Sequence, residues 1–571
     1  MTVPRSEAAE KPSASPPVTV APRAPGRRLT ARRLLAAAAI VLAVALLFLA
    51  YLRVSRTYPE NSDESNDLLM AWDMLHGNVL LHGWYLSDVS FVTTELPQYT
   101  LLVWLFGLHI GTAHIAAAMT YTLVLVLAVL LARGPAGQVP RDEGRIRVLL
   151  TAALVFAPQL GVAVFILALS LGHIGTAVPL LLTWLVLDRF PRRWYTVAAV
   201  GLLLTWVLIA DPLVLLVGVV PLVAVCALRA ARAARRPAGR QADRQPGGPK
   251  HGQPDGGLLA ALRSAWYELA LAVAAIAAYG LAALAGRLLQ AYLHPVPYQL
   301  APLHTWPEHA YVTAKGLLAL FGAKPEGPPA ALAFALLHLA GVALVVWAAW
   351  RVARRFWSWP DLISQVLLLA MVVNVAAYVP STLANATDLN AREFAVVLPY
   401  GAVLAGRTLA ASLRDGYAAA RGRRQVLLAG PAGVLLAGYA ASLGWAAAQP
   451  SVPAMNARLV TFLEAHHLTS GIGGYWESSV ATVGSDGAVT IRAVLPGTLA
   501  PDLWESKSAW YDPAHNQANF LVTSSTPGFF HHWQPDAAAL EALGQPTRIY
   551  RTGPYTVYVY GKNLLAQLPR P

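Results

Sequence analysis

Cysteine is nearly absent: the 571-residue chain has one, Cys226, inside a long apolar run. That excludes a disulfide framework and any cysteine-based metal site. Charge is scarce as well. Charged residues make up 13% of the chain and hydrophobic residues 56%, where soluble domains carry roughly 25% charged. An ordinary soluble globule is therefore excluded. Catalytic signatures are missing too: there is no Walker loop, dinucleotide fingerprint, Gly-x-Ser-x-Gly elbow or His-Glu-x-x-His motif. ATP hydrolysis, serine-hydrolase chemistry and a zincin centre have no support. His76, His82, His173, His294 and His304 lack metal-ligand spacing, and the adjacent pairs His466-His467 and His531-His532 would point their rings apart.

What is present is a series of apolar runs, each near the ~20 residues needed to cross hydrocarbon. The first, Leu34–Leu52, is longer than a signal-peptide core and has no small-residue cleavage site after it, so it reads as a retained anchor. Further spans are expected at 112–132, 148–170, 174–188, 195–210, 213–229, 264–285, 329–350, 361–380, 394–413 and 425–446, about eleven crossings in all. Two hairpins are tight, Leu171-Gly-His-Ile-Gly-Thr176 and Ala210-Asp-Pro212.

The formal charge of +13 is distributed in clusters: Arg23–Arg33, Arg133–Arg147, Arg189–Arg193, Arg229–Arg244, Arg351–Arg355 and Arg407–Arg424. The loops between them are almost free of Lys and Arg. This is the positive-inside pattern, and it argues for membrane lipids rather than nucleic acid as the partner of the basic groups. It puts the amino terminus in the cytoplasm and the carboxyl terminus outside a plasma membrane. Residues 1–29, rich in Pro, Ala, Ser and Arg, read as a disordered cytoplasmic tail, and 30–447 as the transmembrane domain.

From 448 to 571 the spanning runs stop. Ala457–His467 and Asp536–Leu543 have helical spacing; Val489–Leu495, Phe520–Ser524 and Thr556–Tyr560 read as strands. The fold class expected is thus an α-helical polytopic membrane protein with a C-terminal external α/β domain.

Acids gather in one place. Between Arg53 and Pro97 stand seven carboxylates, Glu60, Asp63, Glu64, Asp67, Asp73, Asp88 and Glu95, against two arginines. In this first external loop, 53–98, the apolar residues Leu68, Leu69, Trp72, Leu75 and Val79 fall on one face of a helix over Asn66–Leu80. Such a helix suits the headgroup layer. Asp63 stands where it could cap the helix, and Asp63 and Asp67, four apart, could share a face. The same spacing also suits an N-cap followed by a solvated acidic edge.

The stretch Asp63-Glu64 followed by Ala71-Trp72-Asp73-Met74-Leu75-His76-Gly77 resembles the first periplasmic loop of the GT-C glycosyltransferases, the group of the protein O-mannosyltransferases and the lipid A aminoarabinose transferase. Those enzymes have an Asp-Glu pair after the first span, then a juxtamembrane helix of the form A-x-x-M-L-x-G. Glu95-Leu96-Pro97-Gln98-Tyr99 is similar to their K-P-P-L approach to the second span. Two departures stand out: Ser65, Asn66 and Asp67 replace the aromatic that follows Asp-Glu, and the lysine before Pro-Pro is absent.

The resemblance implies a GT-C-like fold and an inverting transfer of a sugar from a polyprenyl-phosphate donor to an envelope glycan, lipid or protein. It implies Asp63 as the base that takes the acceptor proton, with Glu64 in support. An ionised carboxylate there can also stabilise the cationic anomeric carbon, and the phosphate leaving group calls for a cation. The external cations Arg53, Arg56, Arg287, Lys315 and Arg392 are the candidates; Arg392 is the preferred phosphate partner, Arg56 is a further substrate-binding candidate, and ordinary headgroup contact is the other reading. Asp88 and Glu95 are candidates for the acceptor or a divalent cation, or are structural. Tyr298 and His304, with Trp84, Tyr85 and Trp306, suit a sugar or an interfacial aromatic belt. No resident cofactor is implied. The alternatives in other classes are a transporter or flippase for a lipid-linked or polar solute, and a non-catalytic envelope-assembly protein.

Overall fold

A computed structural model describes residues 27–158, 160–169, 172–234, 263–289, 291–294, 298–384, 388–420, 422–525 and 532–569. The expected tail up to residue 26, the Arg/Pro/Gly-rich segment 235–262, and Leu171, Pro295, Pro297 and His531 lie outside the described residues. The chain divides into two compact units, Met1–Leu46 and Leu47–Pro571. What is described of the first is the beginning of α1 (Arg27–Ser55), where Leu34, Leu35, Ile40, Val41, Leu42 and Leu46 are all exposed. A helix apolar all round belongs in lipid.

The second unit is built on α2 (Ser62–Leu75), α3 (Glu95–Phe106), α4 (Ile110–Arg133), α5 (Arg141–Val155), α6 (Val162–Ala168), α7 (Ala177–Arg189), α8 (Trp194–Ala210) and α9 (Val220–Ala234). Then come α10 (Trp266–Gly286), α11 (Trp306–Leu320), α12 (Pro329–Ala353), α13 (Leu362–Tyr378), α14 (Val397–Ala419) and α15 (Arg423–Ala447). Among the described residues five helices are long and apolar enough to cross a membrane: Ala31–Ser55, Ile110–Arg133, Leu215–Ala234, Trp266–Gly286 and Pro329–Ala353. Trp194–Ala210, Leu362–Tyr378 and Ala432–Ala447 are shorter apolar helices. The chain is a multi-pass membrane protein.

The single span expected over 148–170 is instead two helices. α5 begins at Arg141 and ends at Val155, and α6 covers only Val162–Ala168. Pro158 has no amide hydrogen to continue the ladder, and Gly161 sits at φ 77, which breaks it. α5 lies close against α14, where a side chain at Gly406 would meet the Arg147 carbonyl at 3.0 Å. Small residues at such contacts let helices meet through dispersion, the main attraction left in lipid.

The C-terminal part forms a six-stranded sheet. Its path runs Thr490–Ala493, Ser470–Gly473, Phe520–Ser525, Tyr555–Val559, Arg548–Thr552, with His532–Trp533 also paired to Phe520–Ser525. The first three of these strands are parallel and the others antiparallel. Ala457–Ala465 (α16) and Tyr475–Gly484 (α17) pack on it. A smaller sheet joins three distant stretches: β1 (Trp84–Leu86) pairs with Tyr292–Leu293 (β2) on one side and Ser506–Lys507 (β5 in chain order) on the other. Asp73 fastens it to α2, accepting from Trp84 Nε1 at 2.8 Å, Asn78 Nδ2 at 2.6 Å and Lys507 Nζ at 2.9 Å. Burial would raise the Asp73 carboxyl, but these donors hold it below its usual range.

Candidate active site

The polar face of the helix that carries the acids is packed inside the protein and is not a solvated edge. α2 starts at Ser62, and its buried residues are Ser62, Glu64, Ser65, Asn66, Asp67, Leu68, Met70 and Ala71, whereas Trp72 and Leu75 are exposed. The polar face is the inner one because it has polar neighbours on α17. Ser62 Oγ donates to the Tyr475 carbonyl at 2.6 Å, and Ser479 Oγ donates to Asn66 Oδ1. Small hydroxyl residues let the two helices approach and satisfy each other, as buried polar groups require.

The cap also differs. Asn61, not Asp63, is the N-cap: its Oδ1 accepts from the Asp63 amide at 2.8 Å, and Glu64 Oε2 accepts from the Asn61 amide at 3.0 Å, the reciprocal arrangement of a capping box. Capping by Asn61 releases the Asp63 side chain from local duty. It leaves Glu64 wholly buried, and burial, then the charge of Asp63, raises its carboxyl well above the usual range.

Asp63 opens into a cleft lined by Asp63, Asp67, Ser87, Asp88, Val89, Phe91, Gly172, His173, Arg392, Glu393, Trp504 and Glu505. Its two oxygens have different partners. Asp63 Oδ1 accepts from the Tyr475 hydroxyl at 2.8 Å, and Oδ2 lies 3.5 Å from an Arg392 guanidinium nitrogen. The Asp63 side chain keeps 20% of its surface open and that of Arg392 38%, so the pair faces the cleft.

Tyr475 Oη also lies 2.5 Å from Glu505 Oε2, and Asn66 Nδ2 donates to Oη at 3.1 Å. The Tyr475 hydroxyl thus stands between two acceptors, Asp63 Oδ1 and Glu505 Oε2, and Glu505 Oε2 also accepts from Asn66 Nδ2 at 3.3 Å. Burial, then the Asp63 charge, raises the Glu505 carboxyl to about 7. Asp67 is raised well above its usual range by burial and by the neighbouring acids Glu505, Asp63 and Glu64. Two backbone positions at the cleft are held in the left-handed region, Phe91 at φ 48 and Glu505 at φ 47. That conformation is uncommon for such residues, and strain of this kind gathers at functional sites.

Opposite Asp63 stands a second charge group. His173 lies between Asp211 Oδ2, 2.7 Å from Nδ1, and Glu393 Oε2, 3.0 Å from Nε2. Both oxygens need a donor, so the ring is an imidazolium. Burial alone would lower its pKa, but the two carboxylates raise it well above the usual value. Asp211 also accepts from Thr176 Oγ1 at 2.6 Å and from the Leu213 amide at 2.8 Å. The two tight hairpins of the sequence therefore meet here, and together they hold the short 3-10 helix Asp388–Phe394 that carries Arg392 and Glu393.

Of the residues singled out from the sequence, Asp63, Asp88 and Arg392 line this cleft. Glu64 is directed to its own cap. Glu95 lines a neighbouring enclosed space with Tyr99, Ile174 and Gly175, and burial raises its carboxyl to about 8. Arg56 is not among the lining residues; its carbonyl accepts from Val452 at 2.8 Å. Tyr298 donates to the Ala377 carbonyl at 2.7 Å, and His304 is exposed on a 3-10 turn; neither lines the cleft. Tyr475, Trp504 and Glu505 were not foreseen, since nothing local ties them to residue 63. His173 and Asp211 had a signal, each in a tight turn between apolar runs, a costly place for an ionisable group without a partner. Among the described residues no group of three or more His, Cys, Asp or Glu is placed to hold a metal ion.

No protein-family model matches the chain, and no curated protein matches it. Among solved structures it is similar to the apo crystal structure of ArnT from Cupriavidus metallidurans, at 13% identity over 94% of this chain and 100% of that one, with a TM-score of 0.49.

Proposed function

We propose that the protein is an integral-membrane glycosyltransferase of the GT-C kind, transferring a sugar from a polyprenyl-phosphate donor to a cell-envelope acceptor at the outer face of the plasma membrane. The observation that carries this reading is the open Asp63–Arg392 pair, a carboxylate and a guanidinium side by side in one cleft. The chemistry needs one of each. Asp63 takes the proton of the acceptor hydroxyl as its oxygen attacks the anomeric carbon, while Arg392 faces the departing phosphate. The new glycosidic bond forms as the bond to the phosphate oxygen breaks, and the configuration inverts.

A lipid-linked donor also needs somewhere to put its chain. An apolar groove lies next to the cleft, lined by Met74, Val79, Leu80, Val92, Thr93, Pro97, Thr100, Ile209, Ala285, Leu288 and Leu289. The segment 87–93 walls both spaces, Asp88 and Phe91 on the cleft side and Val92 and Thr93 on the groove side. In this reading Glu64 supports Asp63 by fixing the first turn of α2, and the acceptor enters past Asp88 and Trp504.

The test is transfer by the purified full-length protein in proteoliposomes, supplied with a panel of radiolabelled polyprenyl-phosphate sugars and envelope extract. Label moving into extract material supports the reading. No transfer across the panel, with the protein folded, overturns it.

A further inference from the structure

The end of the helical unit away from the cleft is rich in arginine. Arg229 on α9 donates to the Trp359 and Pro360 carbonyls at 3.3 and 2.8 Å, and it lies eighteen residues beyond Asp211, roughly 25 Å away at about 1.5 Å per helical residue. Some of these arginines are neutralised within the fold. Arg407 pairs with Asp188 and Asp361, each at 2.9 Å, and Arg192 with Glu268 at 3.2 Å.

Arg354 and Arg355 are different. Both are exposed, and among the described residues neither has a carboxylate partner. With Arg351, Trp350 and Trp359 they line a cavity that includes no acid. Arg354 is spread over the Trp350 ring at 4.6 Å, which aims its guanidinium without neutralising it.

The helix leading to this cavity carries an exposed apolar face. On α12 the buried positions are Ala331, Ala335, His338, Gly341, Val345, Ala348 and Val352. Leu332, Leu336, Leu339, Val346 and Trp350 form an exposed apolar stripe at helical spacing, and Arg354 continues it one turn on. An apolar track running into an uncompensated basic cavity beside tryptophans matches a lipid, chain first and phosphate last.

We propose that this cavity binds the phosphate of an anionic phospholipid, with Arg354 and Arg355 on the phosphate and an acyl chain along the stripe of α12. Basic pockets between membrane helices recognise anionic headgroups in this way. The assignment is independent of the reaction at Asp63.

Native mass spectrometry of the full-length protein in detergent tests it, with phosphatidylglycerol, phosphatidylcholine and inorganic phosphate as probes. The wild type retains phosphatidylglycerol and not phosphatidylcholine, and inorganic phosphate does not displace it. Retention falls about fivefold for each arginine removed in Arg354→Gln and Arg355→Gln. Both side chains are exposed, so the fold survives their loss. Val346→Asn, on the stripe, weakens the lipid as well, and Arg145→Gln, outside the cavity, changes nothing. Equal retention by the arginine variants, equal retention of phosphatidylcholine, or displacement by inorganic phosphate each overturns the proposal, the last by making the ligand a free anion.

Discussion

At the scale of single residues, the acids near Asp63 divide by environment. Asp63 faces the cleft with a cation and a hydroxyl on its oxygens, while Glu64 is buried and occupied by its cap. Glu64→Gln keeps the acceptor for the Asn61 amide and replaces a carboxyl whose pKa burial, then the Asp63 charge, raises well above the usual range. It should leave transfer within about threefold and stability within about 1 kcal/mol, because only half of a capping box is touched; a large loss of rate in a folded variant would give Glu64 a direct chemical role. Glu505 sets a pH dependence of known sign. Its carboxyl is neutral in both states below its ordinary 4.5; between there and about 7 the unfolded chain ionises and the folded chain does not. Stability is therefore lost as pH rises through that window. Melting curves from pH 5 to 8 should show this slope, and Glu505→Gln should flatten it.

Among elements, the acidic helix shows what was legible and what was not. The apolar pattern of Leu68, Leu69, Trp72 and Leu75 announced a helix, and the carboxylates announced a site. What covers the polar face was hidden, because its partners, the Tyr475 carbonyl and the Ser479 hydroxyl of α17, lie more than four hundred residues later. The break at Pro158 and Gly161 was written in the sequence, but a continuous apolar run outweighed it in the reading of one span. The small sheet of β1, β2 and β5 is of the other kind, assembled from short stretches without periodicity. It hangs on Asp73. Asp73→Ala leaves the Trp84 indole and Lys507 without their acceptor and should cost about 1–3 kcal/mol, visible as a lower melting temperature and faster exchange of the Tyr85 amide. An unchanged melting temperature would show that the sheet is held by its strands alone.

For the whole molecule, charge and hydropathy carried most of the message. One class of residue, the arginine cluster, predicted which ends of the apolar runs lie together, and a second, the acids, predicted the other end. Among the described residues, α9 and α13 run from the Arg229 region toward Asp211 and Arg392. Sidedness is open to direct measurement because the native Cys226 is buried. With single reporters in a Cys226→Ala background, Thr498→Cys should react with an impermeant maleimide in intact cells, and Ser358→Cys only after lysis. The opposite pattern would place the Asp63 cleft in the cytoplasm and remove the outer-face donor from the account.

The central claim is that Asp63 accepts the acceptor proton, and a single-turnover comparison reaches it most directly. Wild type, Asp63→Asn and Asp67→Asn would be loaded with a radiolabelled polyprenyl-phosphate sugar that the wild type uses, with donor binding and transfer measured separately. The account predicts that Asp63→Asn still binds donor but transfers about 10²- to 10⁴-fold more slowly, the range for a lost general base. Asp67→Asn, replacing a carboxyl that burial, then the Glu505 charge, raises well above its usual range, should stay close to wild type. Transfer by folded Asp63→Asn at the wild-type rate would contradict the claim.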